Sequence, residues 1–479
     1  MTDSSDSYAS PLATRYASAA MQRVFTARSR AILWRRLWAT LAECQAELGF
    51  PVTVAQAASL RSHAEDIDLA SVARYESETR HEVIAHIRAF GDLCPDARPI
   101  IHLGATSAFV MDNSDLMQIR DALALVEAQL VHVISALRSR ALELADLPVL
   151  GFTHFQPAQL TTFGKRICLW MQDLLWDLQA LRHFVAELPF LGMKGATGTQ
   201  ASLLELCDND EDKVRALDKA IAARIGFSRA LTIAGQTYPR KIDSNCYHLL
   251  ASIAQSAAKM ATDLRLMQHD GEAMEPFRGS QVGSSAMPYK RNPMACERVC
   301  ALSRFLLNLA QNGYQTASAQ WLERSLDDSA NKRLVTPEAF MATDAILQHL
   351  YNIAEGFEVV PGRIRASIDR NLPFIATENL MMAAVKAGGD RQALHEAIRV
   401  HSMAASRRIM DGAENNDLLT RLAADPAFAA VRDSLSRPLD PAQFVGLAPQ
   451  QTRTFIAEEV DPALPAPLPA HPWETGIEV

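Results

Sequence analysis

Between Asp121 and Leu147 the chain places Leu123, Val126, Leu130, Val133, Leu137, Ala141 and Leu144 at steps of three or four, until Pro148 stops the run. Such spacing keeps one apolar stripe on one side of a long helix, and the stripe needs helical partners to cover it. Leu33, Leu37, Leu41, Cys44 and Leu48 repeat the pattern before Gly49 and Pro51, and similar stretches cover 165–188, 241–272, 294–318 and 335–356. Helix formers dominate these stretches and alternating runs are few, so the expected fold is mainly α, built on a long central helical bundle. The stripes carry more apolar surface than one bundle buries, which predicts an oligomer.

A chain of 479 residues with 48% apolar and 21% charged residues suits a globular protein of two or three domains. Breaks at Pro99–Gly104 and Pro361–Gly362 suggest helical domains near 1–106, 107–360 and 361–479. The first six residues are expected to be disordered. The tail from Asp461, with five prolines in its first dozen positions, is expected to be extended rather than packed. A net charge of -8, from 47 basic and 55 acidic residues, leaves no basic footprint for nucleic acid or an anionic membrane. The amino-terminal residues are neither basic nor apolar, and no apolar run reads as long enough to span a bilayer, so a cytoplasmic location is expected. Seven scattered cysteines without a Cys-x-x-Cys pair fit reduced thiols, and Cys296 and Cys300 are assigned to core packing rather than to a metal.

Two polar segments interrupt the helical pattern. In Gly283-Ser-Ser-Ala-Met-Pro-Tyr-Lys-Arg-Asn-Pro293, glycine and two prolines forbid an ordinary helix or strand, while Lys290 and Asn292 offer charge and hydrogen bonds to an anion. In Gly151-Phe-Thr-His-Phe-Gln-Pro-Ala-Gln-Leu-Thr162, read as irregular, His154 stands between Thr153 and Gln156 just before a long helix. The glycine-rich Gly192–Gly198 stretch has neither dinucleotide-binding nor phosphate-loop spacing and is assigned to a tight loop. No His-Glu-x-x-His occurs and the histidines do not cluster, so no metal and no cofactor are expected.

The pattern Gly-Ser-x-x-Met-x-x-Lys-x-Asn, met by Gly283, Ser284, Met287, Lys290 and Asn292, resembles the signature of the fumarase, aspartase and argininosuccinate lyase superfamily. The segment around His154 and the run Ile101-His-Leu-Gly-Ala-Thr-Ser107, followed by Asn113, resemble two further superfamily motifs, in family order. The wording Ser285–Met294 is most similar to the adenylosuccinate lyase family. So are Ser10–Tyr16, Arg80-His81, Gly235-Gln-Thr237, Glu323–Asn331 and Phe374–Asn379. The resemblance implies a three-domain, mainly α fold and a homotetramer whose active sites are shared between subunits. It also implies β-elimination of fumarate from adenylosuccinate, giving AMP, and from the related succinyl-carboxamide ribotide.

Removing a proton beside a carboxylate builds negative charge there, so fixed donors and a cation must await it. The resemblance assigns that task to Lys290 and Asn292, the general base to Ser284, and the general acid to His154 with Glu297 holding the imidazole in its donating form. By the same resemblance Thr106, Ser107, Thr153 and Gln236 hold the succinyl carboxylates, Arg298 joins the anion-binding set, and Arg80 and His81 orient substrate. Arg324, Ser329 and Arg333, with Arg15 and Tyr16, suit a phosphate, because guanidinium groups bind it through paired donors. Fumarase, aspartase and argininosuccinate lyase substrates carry none. Glu82 stands where the family often has Asp, which puts that one contact in doubt. Another lyase of the superfamily, such as argininosuccinate lyase, is the alternative enzyme reading, and a non-catalytic crystallin-like structural protein is the alternative from another class.

Overall fold

The computed structural model describes residues 8–277, 281, 283–435, 438–471 and 473, so the first six residues lie outside the described part. The stripe side chains Leu123, Val126, Leu130, Val133 and Leu137 are fully enclosed. Their helix runs Ser107–Glu143, about 55 Å long. It begins earlier than its leucine pattern suggested, because buried Asp112, Asn113 and Ser114 interrupt the apolar spacing without interrupting the helix. Phe163–Glu187, Lys241–Asp270, Met294–Leu309 and Asp328–Gly356 complete a central bundle in which each packs on two or more of the others. The expected 294–318 helix ends at Leu309 and resumes as Gln311–Ser318, and Pro337 is accommodated inside Asp328–Gly356. Pro361 opens the next helix, Pro361–Ile375, where its missing N–H costs nothing. A smaller core around Leu380, Leu394, Leu418, Leu422 and Phe428 gathers the helices beyond it.

Three expectations are revised. By length and composition, Ser107–Glu143 is apolar enough to cross a membrane, contrary to the reading that no run is. Here its stripe is covered by the bundle, and it carries the buried Asp112. The segment 148–162 is an antiparallel hairpin, β1 Pro148–Thr153 and β2 Gln156–Thr162, rather than irregular chain. Thr153 pairs with Gln156, leaving a two-residue turn at His154 and Phe155 with φ of 53° and 56°. That left-handed pair matches the twist of the flanking strands, and no Asn-Gly marks it in the sequence. Finally, the proline-rich tail is extended and mostly exposed after a short turn at Asp461–Ala463, as expected, but its described end is anchored on the bundle. Trp473 is buried, its ring lies 5.1 Å from that of Tyr351, and the His471 ring meets that of Tyr351 edge-on at 4.9 Å and that of His132 at a tilt at 4.7 Å. Prolines set the backbone shape; the two aromatic side chains supply the contact.

Candidate active site

The 283–293 segment is held in shape by its own side chains. Ser284 Oγ accepts hydrogen bonds from the main-chain N–H of Met287 at 3.1 Å and of Ala286 at 3.4 Å. Two donors on one hydroxyl oxygen favour its charged form. Asn292 donates to the Gly283 carbonyl at 2.6 Å, closing the loop at its neck. A Cβ on Gly283 would stand 2.2 Å from the Lys290 carbonyl oxygen, so only glycine fits there. Gln268 anchors the far side by donating to the Arg291 carbonyl, and Arg291 pairs with Glu358. Buried Glu275 then accepts from the N–H groups of Ala295 and Cys296, capping the Met294–Leu309 helix at 3.0 and 2.9 Å. The Lys290 ammonium, at the exposed rim, has no partner among the described residues.

His154 and Thr153 sit exposed at the hairpin tip, and the imidazole has no hydrogen-bond partner among the described residues. Glu297 lies on the Met294–Leu309 helix and faces Arg265 at 4.0 Å rather than His154. Within one chain the expected acid and its expected carboxylate are therefore not joined.

Arg324, Ser329 and Arg333 do converge. They line one cavity of about 180 Å³ with Arg30 and Trp34. Each guanidinium is already engaged: Arg324 with Asp328 at 3.1 Å, and Arg333 with Glu82 at 2.6 Å. Glu82 also binds Arg30 at 2.5 Å, so the residue placed in doubt by the sequence is a bridge between two arginines. In the same cavity wall Arg240 clamps Asp112 and Asp328, and Lys332 bonds Asp115 and the Tyr238 hydroxyl. Burial pushes the Tyr238 phenol well above its ordinary range, so it remains a donor to Asp243 at 2.7 Å. Arg30, Arg240 and Lys332 escaped the sequence reading. Lys332 beside Arg333 and Arg240 four residues past Gln236 were the available signals; Arg30 had none.

The other expected residues form smaller groups. Arg298 and Arg15 both stand over the Tyr16 ring, at 5.6 and 6.0 Å. That segment is tied to the bundle by Ser18, whose N–H and hydroxyl donate to buried Asp344 at 2.6 and 2.9 Å, and by Gln348, which donates to the Tyr16 carbonyl. Thr106 and Ser107 open the Ser107–Glu143 helix with hydroxyls that make no cap bond, leaving free N–H groups at a helix start suited to a carboxylate. Arg80 ends one helix with φ 52°, and His81 caps the next through Nδ1, which accepts from Ile84 N–H at 3.4 Å and leaves Nε2 available. Gln236 reaches Arg324's neighbourhood because its N–H bonds the Glu323 carbonyl, with Gly235 in close approach to the same group. No hydrogen bond, ion pair or ring contact joins the Ser284 loop, the hairpin tip, the Tyr16 group and the Arg324 cavity to one another among the described residues. No group of three or more His, Cys, Asp or Glu side chains placed to hold a metal occurs among the described residues.

Residues 37–304 match a family described as "Lyase", and residues 373–455 match one described as "Adenylosuccinate lyase C-terminus". Over 462 residues the chain is 48% identical to the adenylosuccinate lyase of Saccharomyces cerevisiae, covering 96% of each. It is 46% identical to that of Schizosaccharomyces pombe, covering 99% of this chain and 98% of the relative. Among solved structures it is similar to a 3-carboxy-cis,cis-muconate lactonizing enzyme from Pseudomonas putida, with TM-score 0.81 and 25% identity over 94% of this chain and 98% of the other. A fumarate lyase from Mesorhizobium shares the fold at TM-score 0.80 and 23% identity, over 93% and 99%. With identity near one half across almost its whole length, a matching carboxy-terminal region and the mainly α lyase fold, the chain belongs to the adenylosuccinate lyase family.

Proposed function

We propose that the chain cleaves adenylosuccinate to AMP and fumarate, and the corresponding succinyl-carboxamide ribotide to its carboxamide and fumarate, in the purine pathway of the cytoplasm. The observation that carries the mechanism is the Ser284 oxygen under two main-chain N–H donors, with Lys290, whose ammonium has no partner among the described residues, six residues on. In the proposed reaction Ser284, as alkoxide, removes the proton beside the succinyl carboxylate. Lys290 and Asn292 meet the charge that develops, and the carboxylates rest on Thr106, Ser107, Thr153 and Gln236. His154 gives its proton to the leaving nitrogen while Glu297 keeps the imidazole charged, and His81 and Arg80 orient the purine side. Arg324, Ser329 and Arg333, with Arg15, Tyr16 and Arg298, hold the phosphate.

The separation of these groups within one chain supports a site completed by other subunits. Leu169 and Trp176, seven residues apart on Phe163–Glu187, are 53% and 58% exposed, and Leu266 and Phe305 stand out from the adjoining bundle helices. A stripe of that kind is what a second helix bundle covers. The proposed assembly is a homotetramer with shared sites. Ser284→Ala and His154→Asn proteins, each inactive alone, are expected to regain part of the fumarate-forming activity when their subunits are exchanged. Fumarate and AMP are followed in chelator-containing buffer. No recovery from mixed, folded tetramers would refute site sharing, and no cleavage by the unaltered protein would refute the activity.

A further inference from the structure

Glu82 lies at the start of the Glu82–Leu93 helix, where it is 17% exposed and receives Arg30 on one oxygen and Arg333 on the other. The two arginines differ in freedom. Arg30 comes from the Ala27–Glu47 helix and lies over the Trp34 ring at 5.5 Å, whereas Arg333 is 47% exposed and, among the described residues, bonds Glu82 alone. Both line the cavity that also receives Arg324 and Ser329. A carboxylate bound to a guanidinium presents the same pair of acceptor oxygens that a phosphate would bring.

We propose that Glu82 is a built-in competitor for the substrate phosphate: it holds Arg333 in the empty site, hands that arginine to the arriving phosphate, and stays in place on Arg30. The inference rests on the reading of Arg333 as a phosphate ligand. Burial disfavours charge on Glu82, yet Arg30 and Arg333 outweigh it and hold the carboxyl below its ordinary range, so the competitor is charged at neutral pH. Because the arginine must be released before it binds, part of the phosphate affinity is spent on breaking the Glu82 pair, which weakens the grip on substrate and product alike. The arrangement orients Arg333 without letting AMP bind so tightly that it lingers.

The test is a set of binding measurements on the tetramer with AMP, inorganic phosphate and adenosine. Glu82→Gln should bind AMP and phosphate about threefold to tenfold more tightly, with adenosine unchanged and the gain shrinking at high salt. The gain should vanish in Glu82→Gln/Arg333→Gln, because it depends on freeing that arginine. Unchanged or weaker AMP binding by folded Glu82→Gln, or an equal gain without Arg333, would overturn the competitor role. Arg333→Gln alone separates the two readings: if AMP affinity is then unaltered, the phosphate assignment itself fails. Should Glu82→Gln not fold, a crystal structure of the unaltered protein with AMP decides. Arg333 should have left Glu82 for the phosphate while Arg30 remains on Glu82, and an intact Arg333–Glu82 pair would reject the proposal.

Discussion

At the scale of single residues, chemistry and geometry make separable demands on the 283–293 loop. Ser284→Ala keeps the backbone and removes the proposed base, so kcat should fall about a thousandfold or more with little change in KM. Gly283→Ala instead drives a methyl into the Lys290 carbonyl. It should lower kcat while leaving the unfolding midpoint within a few degrees, since the strain is confined to an exposed loop; steady-state kinetics and a thermal melt check both. Ser284, Lys290 and Asn292 were legible in the sequence because they share one short segment whose glycine and prolines exclude regular structure. The Arg30–Glu82–Arg333 bridge was not, because its members lie on three helices and only packing brings them together. Glu82 drew notice as a departure from a family pattern, which said nothing of the two arginines it holds.

At the scale of elements, the hairpin and the cap of the Met294–Leu309 helix carry the argument. A left-handed turn residue without glycine is tolerated best as asparagine. His154→Asn should therefore keep the hairpin and the oligomer while kcat drops about a hundredfold to ten-thousandfold, read by kinetics and by unchanged sedimentation. Glu275→Ala leaves one buried and one half-buried N–H group without acceptors and should lower stability by about 1–3 kcal/mol in urea titration. It also loosens the anchor behind Asn292, so a fall in kcat should accompany the loss. The long helices were visible as spacing of three and four, and their ends were visible where proline or glycine follows. The hairpin was hidden because its strands are short and its turn lacks the usual residues. The cap was hidden because Glu275 stands twenty residues before Ala295, whose N–H it accepts, and looks like any other acid.

At the scale of the whole molecule, three histidines, His86 and His349 buried and His102 half-buried, set a limit in acid. Burial holds His86, His102 and His349 down to a pKa of about 4, from an ordinary value near 6.5. Their folded values are depressed, so the unfolded chain binds protons first as pH falls below 6.5. Stability should be full above that value and decline toward pH 4, with up to about 3 kcal/mol lost per histidine by then. Urea midpoints measured at pH 7, 6 and 5 should fall in that order. A flat profile would mean that these rings are less enclosed in the assembled protein. The mainly α class could be read from spacing alone, but the packing of the tail could not, since proline content describes backbone shape and says nothing of where His471 and Trp473 lodge. Those rings close on Tyr351, while Ser18 and Tyr16 are tied to Asp344 and Gln348 of the same helix, within about 10 Å along its axis. A chain leaving the ribosome therefore makes Arg15 and Tyr16 before the rest of the site, yet cannot fix them until the segment past residue 348 has emerged. The earliest-synthesised part of the site is thus among the last to be set, and during that interval it is open to proteases and chaperones.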